Sequence, residues 1–249
     1  MDYVLKVLNL ENIDEKDVIC VANKKNQVGI DGKKAWLKER FAEGLKIHRY
    51  EISGKAFIEY MPSEVAWKPV EAEGYLMIHC FWISGKHKGN GLSKELFAEC
   101  LEDAKGKKGI LAVACDKPFF TPVKFYEHLG FKVVDEVQGM YKLMLLPLSD
   151  EEHKPRFCEK AREGRTEKEG VYVEYTYQCP YTSYYVNEMA MVAEEKGIPF
   201  EAKLMTTLQD VRESGSPFGT CGFFVNGEFA SHEVMTAKRF EKELKRFNL

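Results

Sequence analysis

No stretch of this 249-residue sequence is apolar for long enough to cross a membrane. The longest apolar run lies around Tyr75 to Ile83 and contains His79, whereas a membrane-spanning helix needs about 20 such residues. The N-terminus lacks a basic start followed by an apolar run, so we expect no secretion signal. The sequence therefore predicts a soluble protein with no membrane partner.

An excess of charge of one sign is also lacking. The 36 lysines and arginines are set against 39 aspartates and glutamates, which gives a net charge of −3. Without a basic excess the chain cannot neutralise a run of phosphates, and this argues against nucleic acid as a partner. The seven cysteines are odd in number and scattered, so in the absence of a secretion signal we expect reduced thiols in the cytoplasm. No metal site is predicted.

Large apolar side chains are scarce between Ser149 and Gly170, a stretch of 22 residues with seven acidic and six basic side chains. This composition is typical of a linker or a solvated helix. A chain of this length predicts roughly one and a half to two domains. We therefore predict a first domain over residues 1–148, a charged linker over 149–169 and a second domain over 170–249. A charged surface helix within a single domain is the alternative.

Strand-like and helix-like segments alternate on both sides of the predicted linker. In the first domain, apolar patterns predict strands at 3–8, 45–52, 55–61, 75–83, 110–115, 131–137 and 140–146, and helices at 33–43, 92–104 and 123–129. This order predicts a mixed α/β sheet flanked by helices. The second domain is predicted as β-α-β-α-β-β-α, with a hairpin at Asn226-Gly227, the strongest short hairpin signal.

A glycine-rich turn follows the strand at 75–83, where Lys86-x-x-Gly89-x-Gly91 leads into a helix. Glycines let the backbone approach a ligand closely, and free amides at a helix start favour an anion such as a pyrophosphate. The pattern is not a P-loop, and Lys94 stands where a dinucleotide-binding fingerprint needs glycine or alanine. By itself the pattern is weak, because a structural turn has the same composition.

Two motifs in order carry a family resemblance. The stretch Lys86-His87-Lys88-Gly89-Asn90-Gly91 resembles the [Arg/Gln]-x-x-Gly-x-[Gly/Ala] motif of the GNAT superfamily of N-acetyltransferases, with Lys86 in place of the usual arginine or glutamine. Further on, the segment from Lys124 to Phe131 resembles the family's FYxxxGF motif. The resemblance covers residues 1–148 and implies the GNAT fold, with acetyl-CoA as cosubstrate. The residues that it implies for acetyl-CoA binding are Trp82, Ile83, Lys86, His87, Lys88, Gly89, Asn90, Gly91, Leu92 and Ser93.

The reaction that the resemblance implies needs a neutral amine and a proton for the departing thiolate. Tyr126 occupies the position of the family's general-acid tyrosine, and we favour that role over the alternative of a core aromatic beside Phe125 and Phe131. Two residues are candidates for the base. His79 lies within the predicted strand, and histidine side chains in general titrate near neutrality; Glu73 lies at the start of that strand. A buried structural histidine is as compatible with the sequence, so the base stays open.

A second motif, Cys179-Pro180-Tyr181-Thr182, stands between a predicted strand and a predicted helix. The positive end of a helix favours a thiolate, which makes the cysteine a better nucleophile. The motif resembles the Cys-Pro-Tyr-Cys site of glutaredoxins, with Thr182 in place of the second cysteine, and implies a thioredoxin-like domain of the YoaP type. Alignment with glutaredoxins also places Cys221 near Cys179, so both are redox candidates. A redox-inert binding or dimerisation module is the alternative, which leaves a homodimer open.

Together these motifs predict an enzyme, an acetyl-CoA-dependent N-acetyltransferase. An amine of a small molecule or a peptide would attack the thioester directly. Two alternatives remain at this stage: a monothiol redox protein that uses Cys179 beside a CoA-binding domain, and a non-enzymatic CoA-binding sensor.

Overall fold

Over its described residues, the first part of the chain forms eight strands and three helices. Its secondary structure is taken from a computed structural model that describes residues 3–15, 26–118, 120–152, 154–233 and 235–249. The strands are β1 (Leu5–Leu8), β2 (Lys46–Tyr50), β3 (Ala56–Pro62), β4 (Val70–Glu71), β5 (Tyr75–Ile83), β6 (Gly109–Ala114), β7 (Lys132–Val137) and β8 (Tyr141–Pro147). The helices are α1 (Gln27–Ala42), α2 (Leu92–Asp103) and α3 (Val123–His128), with a 3₁₀ turn at Gly85–His87.

The second part of the chain is smaller. Its strands are β9 (Arg156–Phe157), β10 (Val171–Tyr175), β11 (Phe200–Leu204), β12 (Cys221–Val225) and β13 (Glu228–Ser231). Its helices are α4 (Glu159–Glu163), α5 (Tyr181–Glu195), α6 (Leu208–Arg212) and α7 (Ala237–Arg246). Within the described ranges, no helix has the length and apolar character needed to span a membrane.

Tertiary contacts divide the chain into two units. The first contains residues 3–15, Leu37–Ala66 and Val70–Arg156, and the second contains residues 26–36, Trp67–Pro69 and Phe157–Leu249. The C-terminal segment of the second unit begins at Phe157, inside the segment predicted as a linker, where Phe157 and Ala161 are buried. The few apolar residues of that segment pack inward while its charged residues face outward, a distinction that its average composition conceals.

In the first unit, seven of the described strands form one sheet in the order β1-β2-β3-β5-β6-β8-β7. Among these neighbours β5 and β6 run parallel and the other pairs run antiparallel. A sheet that mixes both directions and carries helices on its face belongs to the mixed α/β class. The fold class predicted from the alternation of segments is therefore confirmed.

Strands β5 and β6 pair along only part of their length. The last pair of the register joins Ile78 to Ala112, and β5 then continues to Ile83. On its other side, β5 stays paired with β3, but the register shifts across His79. Such a bulge bends a strand and increases its twist. The two parallel strands therefore separate beyond Ile78, and the sheet is open between their ends.

One hydrophobic cluster holds α2 and α3 on this sheet. It combines Ile58 of β3 and Ile78 of β5 with Leu96 of α2 and Tyr126 of α3, all of which are buried. The ring of Phe125, next to Tyr126, contacts Phe81 near the end of β5, with 5.0 Å between centroids. The cluster therefore brings α3 to the end of β5 from which the loop to α2 departs.

In the second unit, four strands pair in the order β11-β10-β12-β13. Strand β10 runs parallel to β11 and antiparallel to β12, and β13 runs antiparallel to β12. Helices α5 and α7 contribute Met189 and Phe240 to the core beside Phe223. The predicted hairpin is confirmed: its turn residues Asn226 and Gly227 have φ angles of 49° and 84°, which suit the tight turn that joins two strands with their natural twist.

Helix α1 begins at Gln27, earlier than the predicted start at residue 33. Asn26 precedes the helix, and its Oδ1 accepts a hydrogen bond from the amide of Gly29 at 3.2 Å, as an N-cap residue does. Gly29 and Gly32 lower the helix propensity of this turn, and for that reason the apolar pattern alone misses it. Both glycines face a close neighbour, because a methyl group at Gly32 would lie 2.2 Å from the Tyr177 ring.

Candidate functional site

The loop between β5 and α2 exposes two glycines in a conformation that other residues rarely adopt. Gly89 has φ +84° and Gly91 has φ +79°, and a methyl group on either would meet no atom within 4 Å. The backbone conformation, not lack of space, therefore requires glycine at both positions. The surface above them is open to a ligand.

The first amides of α2 face this open surface. Gly91 precedes the helix, and no side chain caps it. The amides of Lys94 and Glu95 donate to the Gly91 carbonyl at 2.9 Å and 3.3 Å. In the part of the chain that the structure describes, the backbone amides of residues 89–93 have no such carbonyl acceptor. Unsatisfied amides at the start of a helix form a site for an anion.

Three side chains of the loop attach it to its surroundings. The Lys86 Nζ donates to the Ser53 hydroxyl at 3.1 Å, and the Nε2 of the buried His87 lies 2.9 Å from the Ser53 carbonyl. The Asn90 amide donates to the Tyr3 hydroxyl at 3.1 Å. These residues shape the loop, whereas Lys88 is exposed and adds positive charge at its surface. Ser93 is half-buried and Leu92 belongs to the core.

The end of β5 offers its main chain beside the loop. Trp82 and Ile83 pair with Phe57 and Ala56 of β3 and lie beyond the last residue that pairs with β6. The carbonyl of Phe81 accepts a hydrogen bond from the Thr121 hydroxyl at 3.1 Å. A ligand with amide groups can therefore extend this edge as an additional strand would.

Tyr126 lies in α3 and is buried among aromatic rings. Its ring centroid is 5.5 Å from that of Phe125 and 5.2 Å from that of Phe131. Burial raises the pKa of Tyr126, and a hydrogen bond with Thr121 opposes that effect. The phenol therefore holds its proton at neutral pH. Because Thr121 also contacts the Phe81 carbonyl, Tyr126 is linked to the open end of β5.

His79 is buried at the register shift of β5. Its Nδ1 lies 3.5 Å from Oε1 of Glu59, a buried carboxylate on β3. Ile58 and Tyr60 belong to the cluster that includes Tyr126, and neighbouring residues of a strand alternate between faces. Glu59 and His79 therefore lie on the opposite face of the sheet from Tyr126.

Glu73 is exposed in the bend before β5. At about 3.3 Å per strand residue, the start of β5 at Tyr75 is roughly 20 Å from Phe81. The structure therefore places Trp82 and Ile83 at the loop end of β5 and His79 at its midpoint, and it leaves Glu73 beyond the opposite end of the strand.

Comparison with known protein families and sequences shows which proteins this chain resembles. The family described as an acetyltransferase (GNAT) domain matches residues 68–149, and the YoaP-like family matches residues 199–242. A relative from Bacillus subtilis (strain 168), named as an uncharacterized N-acetyltransferase, YoaP, is 33% identical over 239 residues, or 94% of this chain and 95% of the relative. This chain belongs to the GNAT acetyltransferase family. It is accordingly an enzyme, an acetyltransferase.

Solved structures similar to this GNAT acetyltransferase include two with a bound coenzyme. YncA from Salmonella typhimurium with its cofactor acetyl-CoA shares 15% identity, covers 62% of this chain and 98% of its own, and has a TM-score of 0.44. The PaiA N-acetyltransferase from Thermoplasma acidophilum in complex with coenzyme A shares 14% identity, covers 58% and 98%, and has a TM-score of 0.42.

Sequence patterns miss two residues of the candidate site. Glu59 is a charged residue inside the apolar strand β3, and a buried charge needs a partner, so its presence there was a usable signal. Thr121 gives no comparable signal, because its contacts with Phe81 and Tyr126 arise only from the packing of α3.

The two redox candidates of the acetyltransferase lie at one end of the second sheet. Cys179 is half-buried in the turn before α5, Cys221 is buried at the start of β12, and neither is in a disulfide. Thr220 and Gln178, which directly precede them, are joined by a hydrogen bond of 3.1 Å. Among the described residues, no group of three or more His, Cys, Asp or Glu side chains could hold a metal ion.

Proposed function

We propose that this acetyltransferase transfers the acetyl group of acetyl-CoA to the amine of a small molecule or a peptide. The observation that carries the proposal is the coincidence of two features at one end of β5. The parallel strands separate beyond Ile78, and the uncapped start of α2 lies one short loop away. An elongated ligand with an anion and amides fits such a site.

In this proposal the pyrophosphate lies against the amides of residues 89–93. Gly89 and Gly91 provide the backbone conformation, and Lys88 adds charge attraction. Lys86 and His87 act through Ser53, which holds the loop in its shape. The pantetheine arm would run along the main chain of Trp82 and Ile83, where β5 no longer pairs with β6.

Tyr126 is the proposed general acid. When the amine nitrogen bonds to the thioester carbonyl carbon, the bond between that carbon and sulfur breaks, and Tyr126 donates its phenolic proton to the departing sulfur. A phenol carries a proton at neutral pH that it can donate. The hydrogen bond with Thr121 connects the phenol to the end of β5, where the arm of the donor would lie.

For the base we favour His79 over Glu73. His79 lies at the midpoint of β5, next to the last residue that pairs with β6, and its Nδ1 is 3.5 Å from the Glu59 carboxylate, which would orient the ring. Because His79 is buried, it would accept the amine proton through a water molecule. Glu73 lies at the far end of the strand.

Replacement of Tyr126 by phenylalanine tests the proposal. We expect the variant to lose about 100- to 10,000-fold in kcat for CoA release with an amine panel, the range for a general acid. Affinity for acetyl-CoA, measured by calorimetry, should stay at the wild-type value. Tyr75→Phe, a buried tyrosine at the other end of β5, is the matched control. If Tyr126→Phe released CoA at the wild-type rate, the acid role would be refuted. If the wild-type protein bound acetyl-CoA but transferred no acetyl group to any amine, the CoA-binding sensor would be favoured.

We also infer that the second unit is a thioredoxin-like domain. The inference is supported by its strand order, by the single parallel pair β10–β11 and by the position of Cys179 before α5. A binding or dimerisation module with the same fold stays the alternative. The cytoplasm, as a compartment that keeps thiols reduced, suits both.

A further inference from the structure

The turn that carries Cys179 lies directly beside the first residue of β12. Strand β10 ends at Tyr175, and the residue opposite Tyr175 on β12 is Cys221. The next residue, Thr176, donates its amide hydrogen to the Thr220 carbonyl at 3.0 Å. The chain therefore enters the Cys179 turn while it is still attached to the residue that precedes Cys221.

Two further contacts fold this turn back over the end of the sheet. The Thr182 hydroxyl lies 2.7 Å from the Thr176 carbonyl oxygen and 2.8 Å from the Cys179 carbonyl oxygen. The Thr220 hydroxyl donates to the Gln178 side-chain carbonyl at 3.1 Å. Gln178 and Thr220, which form this hydrogen bond, directly precede Cys179 and Cys221. The pKa of Cys221 is raised mainly by burial and further by the nearby Cys179. The two side chains are therefore close enough to interact electrostatically.

The two thiols differ in access and in environment. Cys179 is half-buried, and it stands one residue before Pro180 at the start of the 15-residue helix α5, whose positive end favours a thiolate. Cys221 is only 2% exposed. A reagent from solution therefore meets Cys179 first. Thr182 occupies the position where a Cys-x-x-Cys motif would have its second thiol, and its hydroxyl is engaged with two carbonyls.

We propose that Cys179 and Cys221 form a reversible disulfide across the end of the second sheet, with Cys179 as the attacking thiol and a hydroperoxide as the oxidant. The Cys179 thiolate attacks the terminal peroxide oxygen, the O–O bond breaks, and the leaving oxygen takes a proton to become water or an alcohol. Cys179 is then a sulfenic acid, oxidised by two electrons. The Cys221 sulfur attacks this sulfur, an S–S bond forms, the S–O bond breaks, and hydroxide departs with the Cys221 proton as water.

Oxidation of the full-length protein with hydrogen peroxide tests the proposal. The protein has seven thiols when reduced, and we expect a titration under denaturing conditions to find two fewer after mild oxidation. The tryptic peptides 169–196 and 213–238 contain one cysteine each, so a crosslink between them identifies the disulfide without ambiguity. Dithiothreitol should restore both thiols. Cys80, half-buried and free, is the matched thiol and should stay reduced.

Two variants separate the roles of the cysteines. In Cys221→Ser, we expect a sulfenic acid at Cys179 that dimedone traps, and in Cys179→Ser we expect Cys221 to resist peroxide. The proposal is overturned if wild-type protein yields no crosslink between the two peptides, or if Cys80 oxidises as fast as Cys179. The mapping of wild-type protein decides the question even if a variant fails to fold.

Discussion

Replacement of Gly29 by alanine tests how closely α1 holds the turn that carries Cys179. A methyl group at Gly29 would lie 1.9 Å from the Pro180 carbonyl oxygen, whereas ordinary contacts begin at 3.4 Å. The obstacle is a backbone atom, which cannot swing aside as a side chain can. The same oxygen accepts a hydrogen bond from the buried Asn26 amide at 2.5 Å. Either α1 or the turn that carries Cys179 must therefore move by about 1.5 Å, which is enough to break the hydrogen bond between Asn26 and Pro180.

The size of the effect follows from three contributions. Alanine in place of glycine favours a helix by at most about 1 kcal/mol. Forcing extra volume into a packed contact costs about 1–3 kcal/mol, and a buried amide left without its acceptor costs about 1–3 kcal/mol. The sum predicts that Gly29→Ala destabilises the protein by about 1–5 kcal/mol, with a midpoint of about 3 kcal/mol. At about 2–4 °C per kcal/mol for this chain length, the midpoint corresponds to a fall in Tm of roughly 6–12 °C.

Thermal unfolding followed by circular dichroism measures this change. Val28→Ala is the matched control, because Val28 is the neighbouring residue of α1 and is 63% exposed, so its effect should stay within about 0.5 kcal/mol. Alkylation of Cys179 gives a second readout, and it should be faster in Gly29→Ala because the displaced turn is more accessible. A Tm equal to or above that of the wild type would show that the close approach of α1 to Pro180 is not maintained in solution.

Two further predictions concern protons. If His79 is the base, we expect kcat/KM of the wild type to fall at acidic pH and His79→Gln to lack that fall, whereas Glu73→Gln should keep the wild-type pH–rate profile. The reverse result would assign the role to Glu73. Although burial opposes the shift, hydrogen bonds from Lys203 and Thr207 lower the pKa of Asp210 to about 2. A lowered pKa stabilises the fold above the unfolded value near 3.8 and less so as pH falls towards 2, so urea titrations should show Asp210→Asn destabilised at pH 6 and close to the wild type at pH 2.

Local patterns predict the central elements well. Strand β5 coincides with the predicted range 75–83, because nine residues dominated by apolar side chains stand between Gly74 and Ser84. Helix α2 begins at Leu92 as predicted, immediately after a glycine that ends the loop. In both cases the sequence signal lies within the few consecutive residues that form the element or flank it.

The contact between Glu59 and His79 lies beyond such patterns. It depends on the register of β3 against β5, and that register shifts at this very point. Glu73 shows, conversely, that closeness in sequence does not predict closeness in the structure. It is close to His79 along the chain, but an extended strand carries each residue about 3.3 Å further, so proximity in sequence becomes distance along the sheet.

Four glycines of this chain are required for two different structural reasons. Gly29 and Gly32 have ordinary backbone angles and are required because Pro180 and Tyr177 leave no room for a methyl group, whereas Gly89 and Gly91 have positive φ angles and open space around them. A sequence shows only small residues at short spacing in both places. The first pair therefore indicates a contact within the protein, and the second indicates a surface where a ligand can approach the backbone. Only the second pair bears on the proposed binding site for acetyl-CoA.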